Sequence, residues 1–539
     1  MDDTHVPVLV VGGGPVGLSA ALFLGQHGVR TLLVEKRDGT STLPRAPGLQ
    51  ARTLELFRAA GVLPRIRALE MGDSHSYFEG GILRVPTFAR IDEAVVVEAP
   101  SLDGPDVSPE RVMGCGQDRY ERVLADLARE AGAETRFSTR LCEFAQDDDG
   151  VTAVLEDTVT EVRSTVRAGH LVGADGASST IREALGVHRT GRGTVFNALS
   201  IYFRAPQLEE WLKGRHFILC YATEAPGTLM GLSRLHGCDP WLAAPLYFPE
   251  RGESPEDFTD ERCVEIIRTA SGVPDMKVEI VGKVPWQGTQ LVAETFRAGR
   301  VFLAGDAAHV HPPAGGFGAN TGIHDAHNLA WKLAAVLRGQ AGDALLDTYD
   351  VERRRVGEAM AEQAMIRNRI RHGHADAETT AAMVDDIVIT LGYRYRSESV
   401  VDDGPEAPVL TPDLRLTGEP GTRAPHVWLD RAGARISTVD LFWDEFVLLT
   451  GRAGNGWAAA ARLAGERFGI PLRAHVIAEN GDLVARERAW TAAFGVDEDD
   501  AVLVRPDAMV AWRSRGAVED KEAALAEVLA RVCGLRRSS

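Results

Sequence analysis

The chain runs to 539 residues, of which 45% are hydrophobic and 25% charged, and its formal net charge is −18. That length exceeds a single hydrophobic core and predicts two or three domains of ordinary globular composition. So acidic a chain argues against a nucleic-acid partner and against binding at an anionic membrane surface, both of which want a basic patch.

The N-terminus, MDDTHVPVLVVGGG, is acidic, and its apolar run is too short for a signal peptide or a membrane span. A cytoplasmic protein is therefore expected. Residues 8–17 read VLVVGGGPVG and lead into LSAALFLGQHG, which has helical spacing. A strand turning tightly into a helix asks for Gly12, close approach to a pyrophosphate asks for Gly14, and packing of helix on strand asks for Gly17. Phosphates would then meet the free N–H groups and positive end of the helix. A second apolar run, TLLVE, ends in Glu35, 23 residues after Gly12, near the spacing of an acid that binds a ribose hydroxyl. The pattern predicts a dinucleotide cradle.

Strand and helix patterns then alternate to about residue 187, with a helix after Gln117 and short β-like runs at 135–145 and 150–156. In HLVGADGASSTIREAL (170–185), Ser178 and Ser179 stand where a helix N-cap would be, and neither lies in a GxSxG nucleophile motif. From about 190 to 284 the runs FNALSIYFRAP, RHFILCYATEAP and PWLAAPLYFPE suggest antiparallel sheet, interrupted by a helix at ERCVEIIRTASG; residues 71–98 have a similar texture.

Residues 301–333 read VFLAGDAAHVHPPAGGFGANTGIHDAHNLAWKL. An apolar strand delivers Gly305 and Asp306 at its C-terminal end, where open α/β sheets bind ligands. An acid there can accept hydrogen bonds from a polyol such as ribityl. Pro312 and Pro313 stiffen the exit, and Gly315, Gly316, Gly318 and Gly322 let backbone lie flat against a planar ring. A helix expected from about Asn320 would turn its positive end toward that ring and stabilise negative charge on it. A second helical stretch, 344–374, is dense in arginine on its polar side, and a Pro- and Asp-rich boundary falls at 400–413. Beyond it lies a small α/β domain. His309 and His311, and His324 and His327, carry metal-like spacings without a completing ligand set, so no metal is expected. The six cysteines form no CxxC pair and suggest neither a disulfide framework nor zinc.

Three motifs, GGGPVG with Glu35, VGADGASSTIR, and GDAAHVHPPAGGFGANTG with its DAHNLAWKL helix, resemble those of the FAD-dependent aromatic hydroxylases related to p-hydroxybenzoate hydroxylase. The likeness spans the chain, including LGYRYRS before the boundary and RAPHVWL and STVDLF after it, and is nearest to the polyketide-tailoring branch of aklavinone, angucycline and tetracycline pathways. It implies an α/β fold: a Rossmann-like FAD-binding domain (1–70, 99–187 and 285–395), an inserted antiparallel-sheet substrate domain (71–98 and 188–284), and a thioredoxin-like C-terminal domain (400–539) without CxxC, structural or associative in role.

The resemblance also implies residue roles. Gly12, Gly14, Pro15, Gly17, Glu35 and Lys36 would hold the adenosine diphosphate, Arg45 would lie near pyrophosphate and flavin, Gln117 would touch the ribityl chain, and the Leu141 backbone would meet adenine. Asp175 belongs to a motif serving FAD and NAD(P)H; Asp306 would bind ribityl, and Pro313, Gly316, Gly318, Asn320 and Thr321 would wrap the isoalloxazine. His324 stands where many relatives have glutamine, a neutral departure. The implied activity is hydroxylation of a phenol- or quinone-type aromatic polyketide in antibiotic-type secondary metabolism, through a flavin C4a-hydroperoxide formed with NAD(P)H and O2. No side chain is assigned a catalytic role. With one dinucleotide fingerprint, NAD(P)H would bind transiently. Tyr221, Trp286 and Phe317 are the candidate substrate contacts, and a homodimer is the assembly considered. Baeyer–Villiger oxygenation by the same cofactor, or a flavin-bearing binding protein without turnover, are the alternatives; the WxWxIP motif of flavin halogenases is absent.

Overall fold

The computed structural model describes residues 4–46, 48–72, 78–99, 107–224, 230–234, 240–402, 404–485 and 490–535. Residues 73–77, 225–226 and 403, which fall in the stretches read as sheet and as boundary, lie outside these.

The apolar run of Thr4–Val11 forms the centre of a mostly parallel sheet, with Val8, Leu9 and Val10 sealed on both faces. The strand order is Arg297–Ala298, Val301–Leu303, Arg163–Gly173, Thr4–Val11, Thr31–Val34, Glu134–Arg136; Thr139–Gln146 and Val151–Asp157 extend it as an antiparallel flap on Arg163–Gly173. Helix Pro15–Gln26 begins with proline, whose missing N–H costs nothing at that position. It packs between helices Gln117–Glu130 and Phe317–Leu337.

A second sheet of nine strands has long Arg189–Arg204 and Glu279–Ala293 at its heart, paired antiparallel. Ile82–Val85 and Val95–Glu98 join its far side beside Leu219–Ala222, so residues 82–98 and the 189–293 region share one sheet. Glu279–Ala293 continues through position 285 without a break, and its end pairs with His309–Val310, beside the glycine-rich loop that follows. One strand thus links sheet and cradle.

Residues after 420 form a four-stranded sheet ordered Leu472–Ile477, Phe446–Gly451, Ala501–Val504, Val510–Arg513. The first pair is parallel and joined by helix Asn455–Phe468; the last pair is an antiparallel hairpin followed by helix Lys521–Val532. This is the thioredoxin arrangement. The residues at the N-terminus of its first helix, Gly454 to Trp457, include no cysteine. Among the described residues no helix is long and apolar enough to cross a membrane.

Two local expectations need correction. The second cradle helix starts at Phe317, not near Asn320: Gly316 caps it with φ 67°, and Phe317 is anchored by complete burial. First-turn N–H groups need no internal partner, so Gly318 there costs little. The helix expected over 344–374 ends at Arg371, with Gly373 at φ 73° just beyond. Its arginines do not all lie on a polar side, since Arg353 and Arg367 are fully buried and paired.

Candidate active site

The first cradle is built by steric demand. Gly12 has φ 116°, and a Cβ there would stand 2.2 Å from the Ala174 carbonyl oxygen. A Cβ on Gly17 would stand 1.9 Å from the Gly12 carbonyl oxygen, which is why helix and turn can touch. Gly14 differs: a Cβ there meets nothing within 4 Å, so backbone faces open space at the N-cap of a helix with no side-chain cap. Glu35 is buried and accepts a hydrogen bond from Gly13 N at 2.6 Å, while its other oxygen accepts from Arg37 at 3.0 Å. Pro15 opens the helix and Lys36 is exposed beside Glu35.

The second cradle leans on the first through Val16. A Cβ on Gly305 or on Gly322 would come within 2.7 or 2.5 Å of the Val16 Cγ2. Asp306 follows, exposed, its carboxylate without a protein hydrogen bond among the described residues. The protein mass around it raises the carboxyl above the usual range, opposed by His309. Pro313 is exposed and its carbonyl accepts from Gly316 N at 3.0 Å. Gly318 is half-buried, and Thr321 is buried. Asn320 is a bracket: its oxygen accepts from Gln50 N and Thr53 Oγ1 at 2.9 and 2.7 Å, and its amide donates to the Gly48 and Gly316 carbonyls at 3.1 and 3.0 Å. His324 Nε2 lies 3.0 Å from the same Thr53 hydroxyl.

The remaining cofactor candidates ring these cradles. Gln117 opens its helix, its N–H donates to the Arg45 carbonyl at 2.9 Å, and its side chain donates to Glu121. Glu121 also accepts from Ser41 N at 2.7 Å, fixing the 41–45 segment. Burial raises the Tyr202 hydroxyl above its ordinary value, opposed by the positive charge of the nearby Arg45. Leu141 is half-buried in the flap, paired with Leu155. Asp175 follows Arg163–Gly173; one carboxylate oxygen accepts from Ile181 N at 3.3 Å and the other is buried without a partner among the described residues. Ser179 caps the next helix, accepting from Arg182 N at 3.0 Å.

Sequence reasoning missed the groups that hold the second cradle from behind. Asp325, fully buried, accepts from Gly305 N at 3.0 Å, from His309 Nε2 at 2.8 Å and from Arg353 Nε at 2.6 Å. Burial pushes its carboxyl up, but Arg353 and His309 outweigh that and hold it below its ordinary value. Arg353 also donates to the Thr321 carbonyl at 3.1 Å and the Tyr395 hydroxyl at 3.0 Å. The DAHNLAWKL motif contained Asp325, but no local signal named its partner 28 positions later.

The substrate candidates separate. Trp286 is half-buried, its ring 5.4 Å from Phe196 at 80°; Phe196 is 6.2 Å from His372, and His372 is 5.9 Å from Tyr221. Trp286 and Tyr221 thus stand at the two ends of one row of rings, joined by two residues the sequence reading did not select. The Trp286 indole N–H is buried without a partner among the described residues. Phe317 is fully buried among Val356, Met360, Tyr393 and Met509, with the Arg367 guanidinium 5.3 Å from its ring centre.

These features fit FAD: an uncapped helix facing open space at Gly14, an exposed carboxylate at Asp306, a buried oxygen on Asp175 without a partner among the described residues, and a second uncapped helix at Gly316. Comparison with known proteins agrees. Residues 5–364 match the FAD binding domain family, and residues 417–535 match the aromatic-ring hydroxylase C-terminal family. The chain is 46% identical to a tetracenomycin A2 monooxygenase-dioxygenase of Streptomyces glaucescens over 99% of this chain and 98% of that protein. It is 41% identical to an aklavinone 12-hydroxylase of Streptomyces purpurascens over 99% of each. It superposes on aklavinone-11 hydroxylase, solved as a ternary complex with FAD and aklavinone, with TM-score 0.88 and 39% identity over 99% of this chain and 100% of that one. The chain therefore belongs to the FAD-binding-domain family of flavin monooxygenases, the branch that carries an aromatic-ring hydroxylase C-terminal domain.

Proposed function

We propose that this FAD-dependent monooxygenase hydroxylates a large fused-ring aromatic polyketide in the cytoplasm, taking electrons from NAD(P)H and oxygen from O2. The observation that carries the substrate class is the row Trp286, Phe196, His372, Tyr221: His372 ends helix Ala344–Arg371, and the other three stand on a sheet whose central strand runs into the flavin cradle. Flat aromatic side chains stack on fused rings at low entropic cost. Relatives named for tetracenomycin and aklavinone chemistry support the same class.

FAD, once bound and reduced, supplies the oxygen chemistry. The chain's own residues position and shield it. Backbone at Gly12 to Gly14 and the N-terminus of Pro15–Gln26 would hold the pyrophosphate, with Glu35 beneath that turn for the ribose. Asp306 would accept hydrogen bonds from ribityl hydroxyls. The positive end of Phe317–Leu337 favours negative charge on the ring placed against residues 313–321. NAD(P)H visits the site without a Rossmann domain of its own, and a homodimer is the proposed assembly. Substrate-stimulated NAD(P)H oxidation, followed by the connectivity of the product, tests this reading. A new ring hydroxyl supports it; an inserted ester oxygen, or oxidation indifferent to substrate, rejects it.

A further inference from the structure

The hairpin joining Ala501–Val504 to Val510–Arg513 carries the loop RPDAM, residues 505–509, a polar turn that composition alone would place in solvent. Arg505, Asp507, Ala508 and Met509 are instead all buried. Ala508 packs in the C-terminal core, while Arg505 and Asp507 pair with the flavin-binding domain and Met509 shares a cluster with its Phe317. Arg505 donates to both oxygens of Glu352 at 2.6 and 2.9 Å and to both oxygens of Asp507 at 3.0 and 2.5 Å. Asp507 and Glu352 both accept from the Asn328 amide, at 3.1 and 2.9 Å, and Glu352 accepts from Lys332 at 2.7 Å. The Asp507 carbonyl accepts from Arg52 at 2.6 Å.

Asn328, Trp331, Lys332 and Ala335 recur at three- and four-residue spacing, so they lie on one face of the second cradle helix. Trp331 on that face packs in one cluster with Trp457 and Leu529 of the C-terminal domain. Met509 shares a cluster with Phe317, the first residue of the same helix. The Arg505 guanidinium lies 5.4 Å from the Tyr395 ring, whose hydroxyl accepts from Arg353, the residue that anchors Asp325 and hence Gly305. Two routes of buried contact run from the hairpin to the cradle, one along the helix and one through Tyr395.

We propose that loop 505–509 is a positioning element for the flavin: the C-terminal domain sets the helix and the Gly305 turn against which FAD binds. The inference rests on the FAD reading. A charged, hydrogen-bonded contact of this kind tolerates few geometries, unlike an apolar docking face that could slide (packed interfaces and buried networks hold discrete arrangements). By linkage, whatever the hairpin contributes to FAD binding, FAD must return as order in the hairpin.

The test uses the full-length protein. Asp507→Asn and Met509→Ala are titrated as apoprotein with FAD, beside Leu483→Ala, a core truncation in the same domain outside the loop and its buried ion pairs. Expected are a rise of ten-fold or more in FAD Kd and an altered visible circular dichroism of the bound flavin for the two hairpin variants. Leu483→Ala is expected to lower Tm and leave both readouts unchanged. Hairpin variants that lose Tm yet keep Kd and spectrum would overturn the proposal. Should a hairpin variant fail to fold, amide exchange of the unsubstituted protein decides. FAD is expected to slow exchange in residues 505–509 more than in Leu472–Ile477, and equal slowing overturns the proposal. Failure of the unsubstituted protein to bind FAD would instead remove the FAD reading.

Discussion

Replacing Asp325 by alanine is the sharpest perturbation of the second cradle. It would leave the Arg353 guanidinium, sealed from solvent, with the Thr321 carbonyl and the Tyr395 hydroxyl as its hydrogen-bond acceptors among the described residues, and would leave Gly305 N without its acceptor. Removing one partner of a buried ion pair costs about 3–5 kcal/mol, because the remaining charge stays desolvated. At 1.4 kcal/mol per decade this is a loss of roughly two to three and a half orders of magnitude in the folded-to-unfolded ratio. Pairing the change with Arg353→Met removes that stranded charge, so the double variant should recover about 1 kcal/mol or more of the single variant's loss. Urea unfolding of the apoprotein, with FAD titration alongside, measures both effects. A cost below about 1 kcal/mol for Asp325→Ala, or a double variant that loses the plain sum of the two single changes, would refute the ion-pair account.

Further outcomes follow from the same geometry. Gly14→Ala should leave apoprotein stability unchanged, since its Cβ meets nothing within 4 Å, yet weaken FAD binding; Gly17→Ala, whose Cβ would stand 1.9 Å from the Gly12 carbonyl oxygen, should cost about 1–3 kcal/mol of stability, and urea melts beside FAD titrations check the contrast. Asp306→Ala removes a charged acceptor worth about 1.5–3 kcal/mol, or roughly 10- to 100-fold in FAD affinity by fluorescence titration. Trp286→Ala should weaken coupling more than FAD binding, read as more hydrogen peroxide and less product per NADPH; tight coupling retained would count against the aromatic row. Burial, reinforced by Arg338 for His27 and by Arg300 for His170, holds both imidazoles at about 4. Their folded values lie below the unfolded value, so this stability is present above about pH 6.5 and is lost as pH falls through about 4, at up to about 1.4 kcal/mol per pH unit for each. His170→Gln should flatten the fall in urea stability between pH 7 and 5, and an unchanged slope would refute it.

The first cradle was legible because each of its glycines answers a local backbone requirement: the left-handed turn at Gly12 and the contact of Gly17 with the Gly12 carbonyl lie within a few residues of each other. The second cradle was legible as a loop but not in its support. Asp325 and Arg353 stand on different helices, and Glu352 and Arg505 are 153 positions apart, so no periodicity could pair them. Arginines on a long helix read as solvated when charge alone is considered; the carboxylates awaiting Arg353 and Arg367 were visible only once the chain was folded. For the same reason Trp286 and Tyr221 could be selected as aromatic, while Phe196 and His372, which join them, could not. The fold class followed from motifs. The hairpin's burial did not, because RPDAM has the composition of an exposed turn.

The central claim is oxygen transfer from O2 to an aromatic polyketide by the FAD-loaded enzyme. Purified protein, NADPH, a tetracyclic aromatic polyketide of the tetracenomycin or aklavinone type and ¹⁸O₂ suffice to test it by mass spectrometry and NMR. Substrate-stimulated NADPH oxidation and a new ring hydroxyl that carries the heavy isotope are expected. Product hydroxyl oxygen drawn from water, or NADPH oxidation that no aromatic polyketide accelerates, would contradict it.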